Sequence, residues 1–141
     1  MAGRRRSGVE GDAEAASMIL VDTSIWVEST RRKDGQHALE LDALLSRDEV
    51  ATTEIVIAEV LQGTATEQEF AQYSNRMESL HYFPAERETW VRAAKLSFQL
   101  RRLGFTTPLA DLVIAAVALE NGLDVYTVDP HFERISGLRL H

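Results

Sequence analysis

The sequence contains no cysteine. Disulfides and thiolate metal sites are therefore excluded, any metal must be held by oxygen or imidazole, and a reducing cytoplasm fits. Basic residues are in the minority, with 15 Lys and Arg against 22 Asp and Glu and a net charge of -7. That balance argues against a polyanionic partner, because phosphate binding draws on Lys and Arg displacing counterions. It ceases to do so where acids are gathered to hold divalent cations, which reverse the local sign. No apolar run follows the N-terminal arginines, since Gly8, Glu10 and Asp12 interrupt it, so neither export nor membrane insertion is supported. The glycine and lysine signature of a P-loop is also missing, which excludes that class of nucleotide hydrolase. There is no internal repeat.

What remains is a chain of 141 residues, 45% hydrophobic and 26% charged, sized for one compact domain with its own core. Residues 1–17 carry three glycines and set Arg4, Arg5 and Arg6 against Glu10, Asp12 and Glu14. They read as a disordered leader or an added extension, leaving 18–141 as the domain. From Met18 onward short apolar runs alternate with longer amphipathic ones, the pattern of an α/β fold with a mainly parallel central sheet flanked by helices. MILVD (18–22) reads as a buried strand, followed by a helix that Thr23 or Ser24 can cap and that carries Ile25, Trp26 and Val27. A second helix, from about His37 to Ser46, turns Leu41, Leu44 and Leu45 inward.

A short strand at 49–52 leads into a helix over 53–62, which Gly63 is expected to close in the left-handed conformation. Thr66 with Glu69 makes a capping-box signature ahead of Phe70, Tyr73, Met77 and Leu80 at helical spacing. LHYF (80–83) reads as a short strand. A long helix over 86–103 is expected to bury Trp90, Ala93, Leu96, Leu100 and Leu103 before Gly104 ends it. Thr107 as cap, Pro108 at the first helical position and Gly122 as terminator bracket another helix, whose run LVIAAVAL must be buried on more than one side. VYTVD (125–129) reads as an inner strand and GLRLH as a C-terminal edge strand.

Four acids stand out by placement. Asp22 and Asp129 end apolar strands, Asp111 begins a buried helix, and Glu59 projects from a different helix. In open α/β sheets the carboxyl ends of the strands face the ligand crevice, and a first-turn position favours ionised Asp111. Singly, each acid has an ordinary explanation: a cap, a solvated helix residue, a dipole partner, a turn residue before Pro130. Jointly they do not, because four carboxylates drawn from distant segments repel unless a cation sits among them. Oxygen donors with no cysteine and no well-placed histidine pair favour one or two Mg²⁺ or Mn²⁺ ions over Zn²⁺.

VDTSIW, TEIVIAEVLQG, PLADLVIAAVAL and YTVDPHF resemble, in order and spacing, the motifs of PIN-domain nucleases, most closely the VapC-type toxins of bacterial toxin–antitoxin pairs. The likeness runs from Met18 to the end and includes all four acids. It implies a PIN-like domain over 18–141, with Asp22, Glu59, Asp111 and Asp129 as metal-binding catalytic acids and Ser24 and Thr127 as supporting hydroxyls. It further implies a metal-dependent endoribonuclease that cuts structured RNA such as tRNA or rRNA, leaves 5′-phosphate and 3′-hydroxyl ends and inhibits translation. The implied partner is a cognate VapB-like antitoxin whose tail crosses the acidic pocket, and a homodimer and a cytoplasmic location are implied as well.

Other residues carry less. Arg31, Arg32 and Lys33 after the first helix, and Arg101 with Arg102 near the long helix's end, are candidate RNA contacts, equally well read as solvated charge. Trp26 reads as core and not as a base-stacking platform. His37, His81, His131 and His141 show no ligand spacing and are assigned to no metal, although His131 lies close enough to Asp129 to meet substrate; Glu54 and Asp124 read as surface acids. A phosphoaspartate phosphatase wants a second Asp where Ser24 stands, and a receiver domain wants a lysine at a late strand end. The alternative from another class is an inactive PIN-like module that only binds RNA or protein.

Overall fold

The computed structural model describes residues 18–141, so the leader expected at 1–17 lies outside the described residues. Four strands form one sheet in the order β3-β2-β1-β4: β1 (Ile19–Val21), β2 (Val50–Thr52), β3 (His81–Tyr82) and β4 (Asp124–Tyr126). Every pairing between them is parallel, with Ile19 opposite both Val50 and Asp124 and Ala51 opposite His81. All residues of β1 and β2 are buried. Because successive side chains point to opposite faces, this means that both faces of the sheet are covered.

The covering helices are α1 (Thr23–Arg31), α2 (Gln36–Ser46), α3 (Glu54–Gln62), α4 (Glu67–Glu78), α5 (Arg87–Arg102) and α6 (Leu109–Asn121). A 3₁₀ turn at Pro130–Arg134 follows β4. α6 runs against α5, α3 and β4, and its residues from Leu112 to Ala118 are all buried, as the uninterrupted apolar run requires. Trp26 is core too, at 2% exposure. From β1 the chain steps outward to β2 and β3, then returns through α5 and α6 to lay β4 on the other side of β1. The order reverses there. The crevice of such a sheet opens beyond the carboxyl ends of the two strands that flank the reversal, which here are β1 and β4.

Several local expectations need correction. Gly63 ends α3 with φ -84, a right-handed value, whereas Gly122 (φ 67) and Gly104 (φ 92) do take the left-handed conformation. Trp90 and Leu103 are exposed, at 44% and 72%. The inward stripe of α5 runs through Thr89, Ala93, Leu96 and Leu100; Trp90 stands one residue round the helix from it, and Leu103 lies past the last turn. Pro108, not Thr107, occupies the N-cap position of α6, and the buried Thr107 hydroxyl has no hydrogen-bond partner among the described residues. Thr66 does cap α4 by accepting from Glu69 N–H, but the Glu69 carboxylate reaches back to Ala65 N–H and not to the cap itself. β4 stops at Tyr126, and the C-terminal segment adds only a single parallel bridge, Leu140 to Val125.

Candidate active site

Asp22 leaves β1 at the N-cap position of α1, yet its side chain caps nothing. Its Oδ2 instead accepts from Ser24 Oγ at 2.7 Å and Thr127 Oγ1 at 2.8 Å. Each hydroxyl has one proton, directed at Asp22, and so is left to accept from the backbone: Val128 N–H donates to Ser24 at 3.2 Å and Asp129 N–H to Thr127 at 2.9 Å. The loop after β4 is thereby pinned to the loop after β1. Asp22 is buried, at 3% exposure.

Asp129 caps the 3₁₀ turn, its Oδ1 accepting from His131 N–H at 2.9 Å, with Pro130 at the first position of the turn. The turn brings His131 Nδ1 within 2.8 Å of Asp129 Oδ1 and 3.2 Å of Asp111 Oδ2. Asp111 projects from the first turn of α6. Burial foremost, then the charges of Asp22 and Asp129, push its carboxyl up to about 7, against a hydrogen bond from His131 that pulls it down. The three aspartates thus come from the end of β1, the turn after β4 and the start of α6, and the charges of the first two bear on the third.

Glu59 occupies a different position. Its Oε1 accepts from Thr23 Oγ1 at 2.7 Å, so α3 is tied to the residue next to Asp22. Its surroundings are a cleft shared with Trp26, Val27, Arg31 and Tyr73. Among the described residues, the ligand atoms lying within 4.8 Å of one another belong to Asp111, Asp129 and His131. Asp22 faces that group closely enough to bias Asp111, whereas Glu59 stands outside it. Arg31 borders the Glu59 cleft, Arg32 pairs with Glu28 at 3.5 Å, Arg102 lies over the Phe98 ring, and Arg101 and Lys33 are exposed. Of the acids set aside as surface, Asp124 pairs with Arg139 at 2.7 Å and Glu54 accepts from Ala85 N–H at 2.7 Å.

The PIN-domain sequence profile matches residues 19–138. This chain belongs to the PIN-domain family. Ribonuclease VapC18 of Mycobacterium tuberculosis is 27% identical over 125 residues, 86% of this chain and 89% of that protein. Ribonuclease VapC11 of the same organism is 30% identical over 123 residues, 84% of this chain and 92% of its own length. The crystal structure of VapBC-5, a member of the VapBC family of toxin–antitoxin systems from Mycobacterium tuberculosis, matches with a TM-score of 0.59 at 29% identity over 88% of this chain and 99% of that one. The α/β fold read from the sequence is thus that of a PIN domain, with VapC proteins as its relatives.

PIN-domain nucleases are metal-dependent, and the side chains of this PIN domain fit a hard divalent cation. Two carboxylates converge and a third faces them; burial and these neighbours oppose the ionisation of Asp111, a tension that a cation among them removes. His131 is the residue that sequence reasoning set aside and the structure brings in. Its signal was present in the segment Asp129-Pro130-His131: an Asp cap with Pro after it starts a tight turn, and in such a turn the second residue's ring can swing back over the cap. Among the described residues no helix is long and apolar enough to cross a membrane.

Proposed function

We propose that this PIN domain is an Mg²⁺- or Mn²⁺-dependent endoribonuclease toxin of the VapC type, hydrolysing phosphodiester bonds of structured RNA such as tRNA or rRNA in the cytoplasm. The observation that carries the reading is the Asp22–Ser24–Thr127 network set against Asp111 and Asp129 at the reversal point of the sheet. The relatives' names, Ribonuclease VapC11 and Ribonuclease VapC18, support the reaction class.

In this reading Asp22, Asp111 and Asp129 hold the cation, with Glu59 completing the acid set from α3. When bound, one or two such ions supply Lewis-acid stabilisation of phosphate charge and activation of a water. The chain's own residues do the rest. Ser24 and Thr127 fix the Asp22 carboxylate, so that Oδ1 meets its ligand in one orientation. Thr127, through Asp129 N–H, sets where the Asp129 carboxylate stands. Arg31 at the Glu59 cleft, with Arg32, Lys33, Arg101 and Arg102 further out, serves the RNA backbone; positive charge near the acids is what a chain of net charge -7 needs to admit a polyanion. A VapB-like antitoxin and a homodimer complete the picture, the match to a VapBC complex supporting the first.

Cleavage of RNA by the wild type in Mg²⁺ or Mn²⁺, against Asp22→Ala, is the direct test. Wild-type cleavage that falls by at least about a hundredfold in the variant is expected, since a ligand to the cation is removed. A wild type that binds RNA yet cuts none under any divalent cation would point to the inactive binding module. Mapping the 5′ ends that appear in cells on brief induction identifies the substrate.

A further inference from the structure

The four acids leave one polar group of the site without a role. His131 lies with Nδ1 at 2.8 Å from Asp129 Oδ1 and 3.2 Å from Asp111 Oδ2. We propose that His131 supplies a nitrogen donor to the cation that Asp111 and Asp129 hold, and that this donor makes the site favour Mn²⁺ over Mg²⁺. The proposal rests on the metal-dependent reading above.

Spacing is the first argument. Neighbouring ligands of a six-coordinate ion with bonds of about 2.1 Å stand about 3 Å apart, and the two separations made by Nδ1 bracket that value. All three ligand atoms lie within 4.8 Å of one another, so one small ion can reach them together. The second argument is rigidity. His131 does not hang from a free loop: its own N–H is bonded to Asp129, Pro130 restricts the turn before it, and Phe132 after it is buried at 1% exposure. The ring is thus placed by the fold. The third is chemistry. Nδ1 points between the two carboxylates, where a neutral imidazole offers its ring lone pair to a cation. Both ions accept the carboxylate oxygens, but Mn²⁺, the softer of the two and a transition ion, takes an imidazole nitrogen more readily than Mg²⁺, which keeps to oxygen and water.

The remaining histidines of the chain are engaged elsewhere, His37 with the Tyr126 hydroxyl and His141 with Glu40, while His81 is buried on β3. Substitution of His131 is tolerable to the fold because its side chain is 33% exposed. The test uses the full chain, stripped of metal and loaded with one equivalent of Mn²⁺, read by pulsed electron paramagnetic resonance. Nitrogen modulation from a directly bound imidazole is expected in the wild type. It should vanish in His131→Ala and in His131→Gln while Mn²⁺ still binds, and the ratio of Mn²⁺ to Mg²⁺ affinity, measured by calorimetry, should fall about tenfold. Bound Mn²⁺ without nitrogen modulation, or modulation that persists in both variants, overturns the inference and leaves the metal-dependent reading standing. Absence of specific Mn²⁺ binding in the wild type, with Asp111→Asn behaving identically, overturns both.

Discussion

At the scale of single residues, the hydroxyl of Thr127 does two things at once. It donates to Asp22 Oδ2 and accepts from Asp129 N–H, so one oxygen sets the position of two acids that follow different strands. Ser24 does the same for Asp22 and Val128 N–H. Thr127→Val keeps the shape and removes both bonds, leaving the Asp129 N–H without its acceptor, at a cost of about 1–3 kcal/mol if no water replaces it. We expect the variant to fold, with Mn²⁺ affinity down about 10–100-fold by calorimetry, the range typical of groups that orient metal ligands. Ser24→Ala should lie at the mild end of that range, because Thr127 still holds the same Oδ2. Unchanged Mn²⁺ affinity in both variants would mean that the hydroxyls only cap loops.

At the scale of elements, the two glycines that end α3 and α6 show where pattern and geometry part. Both follow an apolar helix; Gly63, expected to be left-handed, sits at φ -84, while Gly122, expected only to end its helix, is left-handed at φ 67. Gly122→Ala should therefore cost about 1–2 kcal/mol, the penalty of a side chain in the left-handed region. Gly63→Ala should be neutral or stabilise by about 0.5 kcal/mol, since its added carbon meets Val60 O at an ordinary 3.5 Å and the unfolded chain loses freedom. Denaturant midpoints of the two variants decide it. The reason for the miss is general: a helix followed by glycine is visible in sequence, but the φ chosen depends on where the next segment must go. Strands and the buried helix α6 were legible because apolar runs have no other place to be, and Asp22, Asp111 and Asp129 were legible because they punctuate those runs. Neither Trp90 outside the stripe of α5 nor His131 over its own cap could be read that way, since each depends on a rotation about an element and not on its existence.

At the scale of the whole molecule, an acidic chain that is to act on RNA needs, beside its arginines, positive charge from a bound cation at the acids themselves. That requirement links metal, pH and stability through Asp111, whose carboxyl the fold raises from 3.8 to about 7. Below pH 4 the group is protonated whether the chain is folded or not, and it adds no pH dependence. As pH rises toward 7 the unfolded chain gives up this proton first, so the metal-free fold loses stability across the interval and the loss is complete above it. A cation reverses the sign of that interaction, because it binds the ionised carboxylate that the bare site resists. Thermal unfolding with and without Mn²⁺ at about a hundred times its dissociation constant should show a gain on the order of 8 °C near pH 8. That gain should shrink toward pH 5, where protons compete for the same oxygens. In Asp111→Asn the metal-free protein should be more stable than wild type at pH 8, relieved of the buried charge, and the Mn²⁺ gain should largely disappear. Equal gains at the two pH values in the wild type would show that the cation binds away from Asp111, and the acids of the site would then need another explanation.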